Sequence, residues 1–298
     1  MATFNEKKTC SQRMENFGRF VWNPDTGEVL GRTFVKWVYI SLYYAAFYVI
    51  MIGIFALSIY SLMKTLSPYE PDYQDQIQSP GVTMRPNPYV DESIQLFYNM
   101  FDNTTYSPIV NSLCDFLSVY DAANQTKMMN KDCTNQTNIA SILYSSANLK
   151  HACQFTREML GNCSGEHDPT YGYKYGKPCL FIKMNRKIKF TPGNNTTPLV
   201  QCTSKSQNLG KVEYYPGNDT YGTIGIQYFP YHGKKMQPNY TNPIVAVKLL
   251  NPKLDVEIEV VCKVLGPGIV TDNPHDPYEG KVTFKLKIEN KNPLSIKN

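Results

Sequence analysis

The chain lacks the residue patterns of the common catalytic and metal centres. Only four of its 298 residues are histidine, at positions 151, 167, 232 and 275, and they form no His-Glu-x-x-His pair. It also has no Asp-x-Asp motif, no Gly-x-Ser-x-Gly elbow and no glycine loop of the phosphate-binding type. These absences argue against a luminal glycosyltransferase, a serine hydrolase and a zinc enzyme, and they predict a protein that has no cofactor and no metal.

A strong charge of either sign is missing as well. The 30 basic and 25 acidic residues leave a formal net charge of +5, and the basic residues form no stripe. Because nucleic-acid binding depends on clustered lysine and arginine, we expect no DNA or RNA partner.

What the sequence does contain is one long apolar run. Residues 37–63 are 27 consecutive positions without Asp, Glu, Lys, Arg or His. As a helix this run would be about 40 Å long, enough to cross a hydrocarbon core of about 30 Å. A cleaved signal peptide is disfavoured because the run starts late, is too long and has no small-residue cleavage site after it.

The flanking charges predict the orientation. Basic residues precede the run, whereas acidic residues dominate after Lys64, which places the N-terminus in the cytosol. The resulting organisation is a cytoplasmic tail (1–36), a transmembrane helix (37–63), a proline-rich extended stalk (64–90) and an ectodomain (91–298). The tail is too short and polar to build a core, so it needs a partner or stays loose.

Seven of the eight cysteines follow the apolar run, where the secretory lumen would oxidise them. Pairing nearest neighbours gives loops of modest size, although sequence alone leaves the other connectivities open. Cys114 then remains as a buried free thiol, with intermolecular pairing as the alternative, and Cys10 faces the reducing cytosol. The nearest-neighbour pairs are Cys133 with Cys153, Cys163 with Cys179, and Cys202 with Cys262.

Acceptor motifs for N-linked glycans occur only after the apolar run, which agrees with the predicted orientation. Two of them overlap, so both are not expected to be occupied at once. The eight acceptors are Asn103, Asn124, Asn135, Asn162, Asn194, Asn195, Asn218 and Asn239.

Alternating apolar and polar residues predict several strands in the C-terminal half. Several short strands, each with one wet face, indicate antiparallel sheets packed face to face, an immunoglobulin-like sandwich. Cys262 falls on an apolar face, where a bridge to Cys202 would be buried. The predicted strands are 180–190, 212–215, 223–229, 244–250, 254–264 and 282–288, and two helices are predicted at 94–100 and 109–119.

The apolar run carries an unusual number of aromatic residues. Tyr39 and Tyr60 lie near its ends and suit the membrane interface. Tyr43, Tyr44, Phe47 and Tyr48 form two pairs at a spacing of four residues, deeper in the bilayer. Lipid tails offer no acceptor for a phenol, so this stripe favours docking against another helix; snorkelling of unselected aromatics is the alternative.

Seven short motifs together resemble the beta subunit of the potassium-counter-transporting P-type ATPases, the sodium/potassium and gastric proton/potassium pumps. The likeness runs through almost the whole chain. The motifs are Trp22-Asn23-Pro24, Leu30-Gly31-Arg32-Thr33, Tyr73-Gln74-Asp75, Ser79-Pro80-Gly81, Gly161-Asn162-Cys163-Ser164-Gly165, Lys183-Met184-Asn185-Arg186 and Tyr228-Phe229-Pro230-Tyr231.

The resemblance implies a single transmembrane helix with a mainly-β, immunoglobulin-like ectodomain, and three consecutive disulfides on the pairs named above. It also implies a non-catalytic partner of the alpha subunit, which it escorts to the plasma membrane and whose potassium affinity and conformational cycle it tunes. The lipid bilayer, N-linked glycans and a small single-span regulatory subunit are further partners that it allows. The implied alpha contacts are Tyr43, Tyr44, Phe47 and Tyr48 in the span and Tyr228, Phe229, Pro230 and Tyr231 in the ectodomain.

Two departures from the family pattern are visible. His232 replaces the usual second tyrosine after Tyr231, and Cys114 lies outside the bridge pattern. Residues 6–10 and 272–281 look most like the gastric subunit, which would place the chain in an apical membrane, although the residues after Ile288 leave room for a divergent sodium-pump subunit. A cell-surface adhesion or receptor module with the same architecture is the alternative function.

Overall fold

The chain separates into two compact units, Met1–Ser67 and Pro68–Asn298. The computed structural model describes residues 10–69, 71–72, 79–90, 93–133, 150–193 and 196–291.

The first unit contains a short helix, a hairpin and a long helix. Helix α1 (Cys10–Val21) leads into the hairpin of β1 (Trp22–Asn23) and β2 (Glu28–Val29), and helix α2 (Phe34–Thr65) follows. The tail therefore contains regular structure that the sequence reasoning did not predict.

Helix α2 includes the whole predicted span. Its 32 residues would measure about 48 Å. None of them is buried within the chain, and α2 is the one helix among the described residues that is long and apolar enough to cross a membrane. The predicted span is thus confirmed as one long helix, and most of its apolar side chains are exposed.

The second unit is a sandwich of two sheets. One sheet has four strands in the order β3-β6-β10-β8, and the other has six in the order β4-β5-β12-β11-β7-β9. Buried side chains of both sheets belong to one continuous core. The strands are β3 (Val82–Arg85), β4 (Tyr89–Val90), β5 (Ser93–Asn99), β6 (Cys179–Met184), β7 (Leu199–Ser204), β8 (Val212–Tyr215), β9 (Gly222–Thr223), β10 (Ile244–Leu249), β11 (Ile258–Leu265) and β12 (Lys281–Glu289).

Several predicted strands are confirmed and others are corrected. Strands β8, β10 and β12 follow the predicted runs closely, whereas β6 and β11 cover only parts of 180–190 and 254–264. Most of 223–229 is not a strand, because a 3₁₀ turn occupies Ile226–Tyr228. The predicted helix at 94–100 is wrong: β5 is a strand whose inward residues Ile94, Leu96 and Tyr98 alternate with outward ones.

The sheets also differ from the expectation that all strands are antiparallel and that each has one solvent-exposed face. Strand β5 runs parallel to β12, while the other pairings within the two sheets are antiparallel. Strands β6 and β10 are buried on both faces rather than wet on one. The reason is that residues outside the sheets cover the outer face. The ring of Phe181 in β6, for example, packs against the rings of Phe116 and Tyr171, which belong to no strand.

Helix α3 (Asn103–Leu117) matches the predicted helix at 109–119 but starts earlier. Asp102 sets the start because its carboxylate accepts the backbone N–H of Thr104 at 3.0 Å. The apolar residues Leu113 and Leu117 of α3 are fully buried against the core. The short helix α4 (Ala122–Lys127) follows.

Part of the predicted stalk belongs to the sandwich. Strand β3 is an edge strand of the four-stranded sheet, and Val82 and Met84 are buried in the core. The sheet structure of the ectodomain therefore begins before residue 91.

Candidate subunit interface

The aromatic stripe of helix α2 lies open along one side of the helix. Tyr43, Tyr44, Phe47 and Tyr48 are all exposed, and successive rings contact one another with centroids 5.5 to 6.2 Å apart. No hydrogen bond within the described part of the chain involves the three tyrosine hydroxyls. By contrast, the hydroxyl of Ser58 is satisfied inside the helix by the carbonyl of Ile54 at 2.9 Å. The stripe thus carries phenols that have no hydrogen-bond partner among the described residues.

The ectodomain segment 228–231 is anchored inward rather than displayed. The side chains of Tyr228 and Tyr231 are only 5% and 7% exposed. The Tyr228 hydroxyl donates to the carbonyl of Gln154 at 3.0 Å, and the Tyr240 hydroxyl donates to the carbonyl of Tyr228 at 3.0 Å. Burial raises the pKa of Tyr228 to about 12, against a smaller lowering by a hydrogen bond with Gln227.

Arg186 packs against the rings of Tyr231 and Tyr240. The rings of Tyr231 and Tyr240 lie 4.7 Å apart, and the Arg186 guanidinium carbon is 5.6 Å from each ring centroid. Nε of Arg186 also donates to the side-chain oxygen of Asn242 at 2.9 Å, which fixes the guanidinium. Burial raises the pKa of Tyr240, and the charge of Arg186 opposes that rise. Segment 228–231 is therefore tied to the residues that follow β6 and to those that precede β10.

The outer side of this region is cationic. Phe229 and Pro230 are half-buried, whereas Lys234 and Lys235 are exposed, with the Lys235 ammonium 5.9 Å from the ring centroid of Tyr69. Gly233 makes the turn possible, because its φ of +91° and the Tyr69 carbonyl 3.1 Å from an added Cβ both disfavour a side chain.

His232 occupies the position at which the family pattern has tyrosine. Its ring is within 3.2 Å of the Lys150 ammonium, and its backbone N–H donates to the side chain of Gln237 at 2.9 Å. None of the four histidines belongs to a candidate metal site. Among the described residues, no group of three or more His, Cys, Asp or Glu is arranged to hold a metal ion.

Three disulfides are present, and they join the pairs that the nearest-neighbour argument named. Cys202 and Cys262 face each other directly on β7 and β11, so this bridge links neighbouring strands of one sheet, with both residues buried. Cys114 is unpaired but exposed on α3, which corrects the expectation of a buried thiol, and Cys10 is also exposed and unpaired.

The glycan acceptors differ in accessibility. Asn103, Asn162, Asn218 and Asn239 are exposed, whereas Asn124 is half-buried in α4 and donates its side-chain N–H to the carbonyl of Ser118 at 2.7 Å. Asn135, Asn194 and Asn195 lie outside the described residues.

An apolar helix with no buried residue, followed by a disulfide-bonded sandwich, is compatible with a single-span membrane protein. The sequence matches the family described as "Sodium / potassium ATPase beta chain" over residues 7–284. The chain therefore belongs to this family, whose members are non-catalytic subunits, with the catalytic activity residing in the alpha subunit.

The similarity to individual relatives spans nearly the whole chain. The potassium-transporting ATPase subunit beta of Oryctolagus cuniculus is 52% identical over 295 residues, covering 97% of this chain and all of the relative. The human protein of the same name has the same identity and coverage. The sodium/potassium-transporting ATPase subunit beta-2 of Ochotona curzoniae is 40% identical over 298 residues, covering 97% of this chain and 99% of the relative.

Three residues that contact the anchored segment or the neighbouring His232 were missed by sequence reasoning. Arg186 appeared only as part of a family motif, and neither Tyr240 nor Lys150 drew attention. Lys150 and Arg186 lie far from Tyr231 and His232 in the sequence, and Tyr240 follows Tyr231 by nine residues with no periodic pattern between them, so no local pattern grouped the three with these residues.

Proposed function

We propose that the chain is the beta subunit of a proton- and potassium-exchanging ATPase. It supports the assembly, folding and surface delivery of the alpha subunit and modulates potassium affinity and the conformational cycle. The observation that carries the choice of pump is the 52% identity to potassium-transporting beta subunits against 40% to a sodium/potassium beta-2, over nearly the same length.

The span provides the first proposed contact with alpha. The open phenols of Tyr43, Tyr44 and Tyr48 need acceptors that lipid tails lack, and a helix of alpha supplies them. Phe47 fills the space between these tyrosines and adds packing area.

The ectodomain provides the second contact, in a revised form. Tyr228 and Tyr231 are proposed as positioning residues, since their buried side chains hold the loop in place. The contact itself falls to Phe229, Pro230 and the exposed Lys234 and Lys235, a mixed apolar and cationic surface suited to an acidic or aromatic loop of alpha.

The topology follows the flanking charges: the N-terminus is cytosolic, the C-terminus extracellular, and the membrane is the plasma membrane, apical for the gastric type. The exposed acceptors Asn103, Asn162, Asn218 and Asn239 carry glycans, and Asn124 is the least suited of the described ones. A small single-span regulatory subunit joins the complex beside alpha.

The experiment is co-expression with a gastric-type and, separately, a sodium-pump-type alpha subunit. Surface delivery and potassium-stimulated ATPase activity restored mainly with the gastric alpha would support the proposal. Restoration mainly with the sodium-pump alpha would move the chain to that pump, and rescue of neither would favour an adhesion module.

The stripe is tested in the same cells with a matched pair of variants. Tyr44→Leu with Tyr48→Leu should lower the amount of co-purified alpha several-fold, whereas Tyr60→Leu, near the end of the span, should leave it unchanged. Equal amounts of alpha with both variants would remove the stripe from the interface.

A further inference from the structure

Helix α1 has an apolar side that no described residue of its own compact unit covers. Cys10, Met14, Phe17 and Val21 recur at spacings of four, three and four residues, which places them on one face. Met14 and Phe17 are 75% and 66% exposed. The opposite face is polar and carries an ion pair between Glu15 and Arg19 at 3.6 Å. A helix of 12 residues is marginal alone in water, so this face needs a surface to pack on.

The hairpin fastens α1 close to the membrane-spanning helix. The backbone N–H of Leu30 donates to the carbonyl of Val21 at 3.1 Å. The indole N–H of Trp37, in the first turn of α2, donates to the carbonyl of Val29 at 2.9 Å. Phe34 follows Leu30 by only four positions, a reach of at most about 14 Å. The end of α1 therefore cannot move far from the point where the span enters the membrane.

The composition of this region matches a lipid headgroup layer. Both tryptophans of the chain, Trp22 and Trp37, lie in it, and tryptophan is enriched at membrane interfaces. Residues 1–36 contain six basic and four acidic side chains, a net charge of +2. An anionic leaflet attracts such a segment, and an amphipathic helix buries its apolar face at the boundary between headgroups and acyl chains.

We propose that α1 is an interfacial helix that lies on the bilayer surface at the N-terminal side of the span, with Met14, Phe17 and Val21 inserted among the lipids. This inference goes beyond the proposed function and uses its topology only to name the leaflet as the cytosolic one. Continuity with the span favours lipid over a protein groove as the occupant.

The test uses the full chain in vesicles of phosphatidylcholine with a minor share of phosphatidylserine, without alpha. In a Cys114→Ser background, Cys10 is the one free thiol and reports on the apolar face. The matched control adds Cys10→Ser and Asn16→Cys, which moves the thiol to the polar face. Each thiol carries an environment-sensitive dye, which is challenged with aqueous iodide and with a lipid-borne quencher.

We expect the dye at Cys10 to emit at shorter wavelength, to be quenched by the lipid-borne quencher, and to be several-fold less sensitive to iodide than the dye at residue 16. Met14→Ser with Phe17→Ser should abolish this difference. Equal quenching at both positions would overturn the proposal, as would protection of Cys10 that arises only after alpha is added. Because alpha is absent from the first measurement, failure of the pump assignment would not affect it.

Discussion

The two compact units use tyrosine in opposite ways. The tyrosines of helix α2, such as Tyr43 and Tyr48, are more than half exposed, and their hydroxyls make no hydrogen bond within the described residues. In the sandwich, Tyr228 and Tyr240 are buried, and their hydroxyls donate to backbone carbonyls. These two buried phenols find their partners within the sandwich. The phenols of the span depend on lipid or another subunit instead.

The largest expected effect comes from removing the disulfide that joins Cys202 to Cys262 within the sandwich. Cys202→Ser with Cys262→Ser opens a bridge with a sequence separation of 60 residues, which the loop-entropy model values at about 4 kcal/mol of unfolding free energy. Denaturant unfolding should be followed by tyrosine circular dichroism, because both tryptophans lie outside the sandwich.

The matched control is Cys163→Ser with Cys179→Ser, which opens a separation of only 16 residues and should lose about 3 kcal/mol. Membrane insertion of α2 should survive both changes. An unchanged unfolding midpoint after loss of the 202–262 bridge would show that the sheet pairing holds β7 and β11 without it.

High pH should break the sandwich through its buried phenols. Burial raises the pKa of Tyr228 to about 12. A folded-state pKa above the unfolded value of about 10 contributes stability that is complete below pH 10 and is lost as pH rises towards 12, at about 1.4 kcal/mol per pH unit. Unfolding midpoints measured across this window should fall accordingly.

Tyr228→Phe is the control for this pH effect. Because the variant lacks the Tyr228 phenol, its unfolding free energy should fall less steeply between pH 10 and 12, by the contribution of that one tyrosine. Tyrosinate absorbance gives an independent reading, since the buried phenols should ionise only as the sandwich unfolds. Full ionisation near pH 10 with intact tertiary structure would contradict the assignment.

The parts of the fold that sequence predicted are those with a local signal. The span is a run without charged residues, and β8, β10 and β12 coincide with short runs of apolar residues that can be recognised within a few positions of sequence. Strand β5 was missed because Ile94, Leu96 and Tyr98 sit in a short run that is too brief to separate a strand from a helix. Its parallel partner β12 lies almost two hundred residues away.

The candidate interface was less predictable for a physical reason. Family motifs located the segment 228–231, but a motif does not show which of its side chains are exposed. Tyr228 is buried in the main core, and Tyr231 is buried in a separate small cluster with Ala152 and Tyr240. Their anchors, Arg186 and Tyr240, are supplied by tertiary packing. The amphipathic face of α1 did have a local signal, in the spacing of Met14, Phe17 and Val21, that the reading of the tail as polar overlooked.

A smaller effect comes from deleting one hydroxyl in each unit. Tyr240→Phe removes a donor at 3.0 Å from the Tyr228 carbonyl and leaves that carbonyl unpaired, which should lower the unfolding free energy by about 1 to 3 kcal/mol. Tyr48→Phe should leave sandwich unfolding unchanged but weaken the association with alpha by about 1 kcal/mol. Denaturant unfolding and alpha co-purification should both be measured on each variant. A destabilised sandwich in Tyr48→Phe would erase the contrast between the units.

The smallest effect should have the opposite sign. The Tyr98 hydroxyl is buried and has no hydrogen-bond partner among the described residues, so it behaves like a span tyrosine placed inside the core. Its ring packs 5.0 Å from Tyr173 and 6.5 Å from Tyr106, between centroids. Tyr98→Phe keeps this packing and removes a desolvated polar group, so the unfolding free energy should stay constant or rise by up to about 1 kcal/mol. Tyr98→Ala, which deletes the ring, should lower it by about 3 to 5 kcal/mol. If Tyr98→Phe were destabilising instead, a buried water would have to satisfy the hydroxyl, and Tyr98 would join Tyr228 and Tyr240 as a phenol with a hydrogen-bond partner.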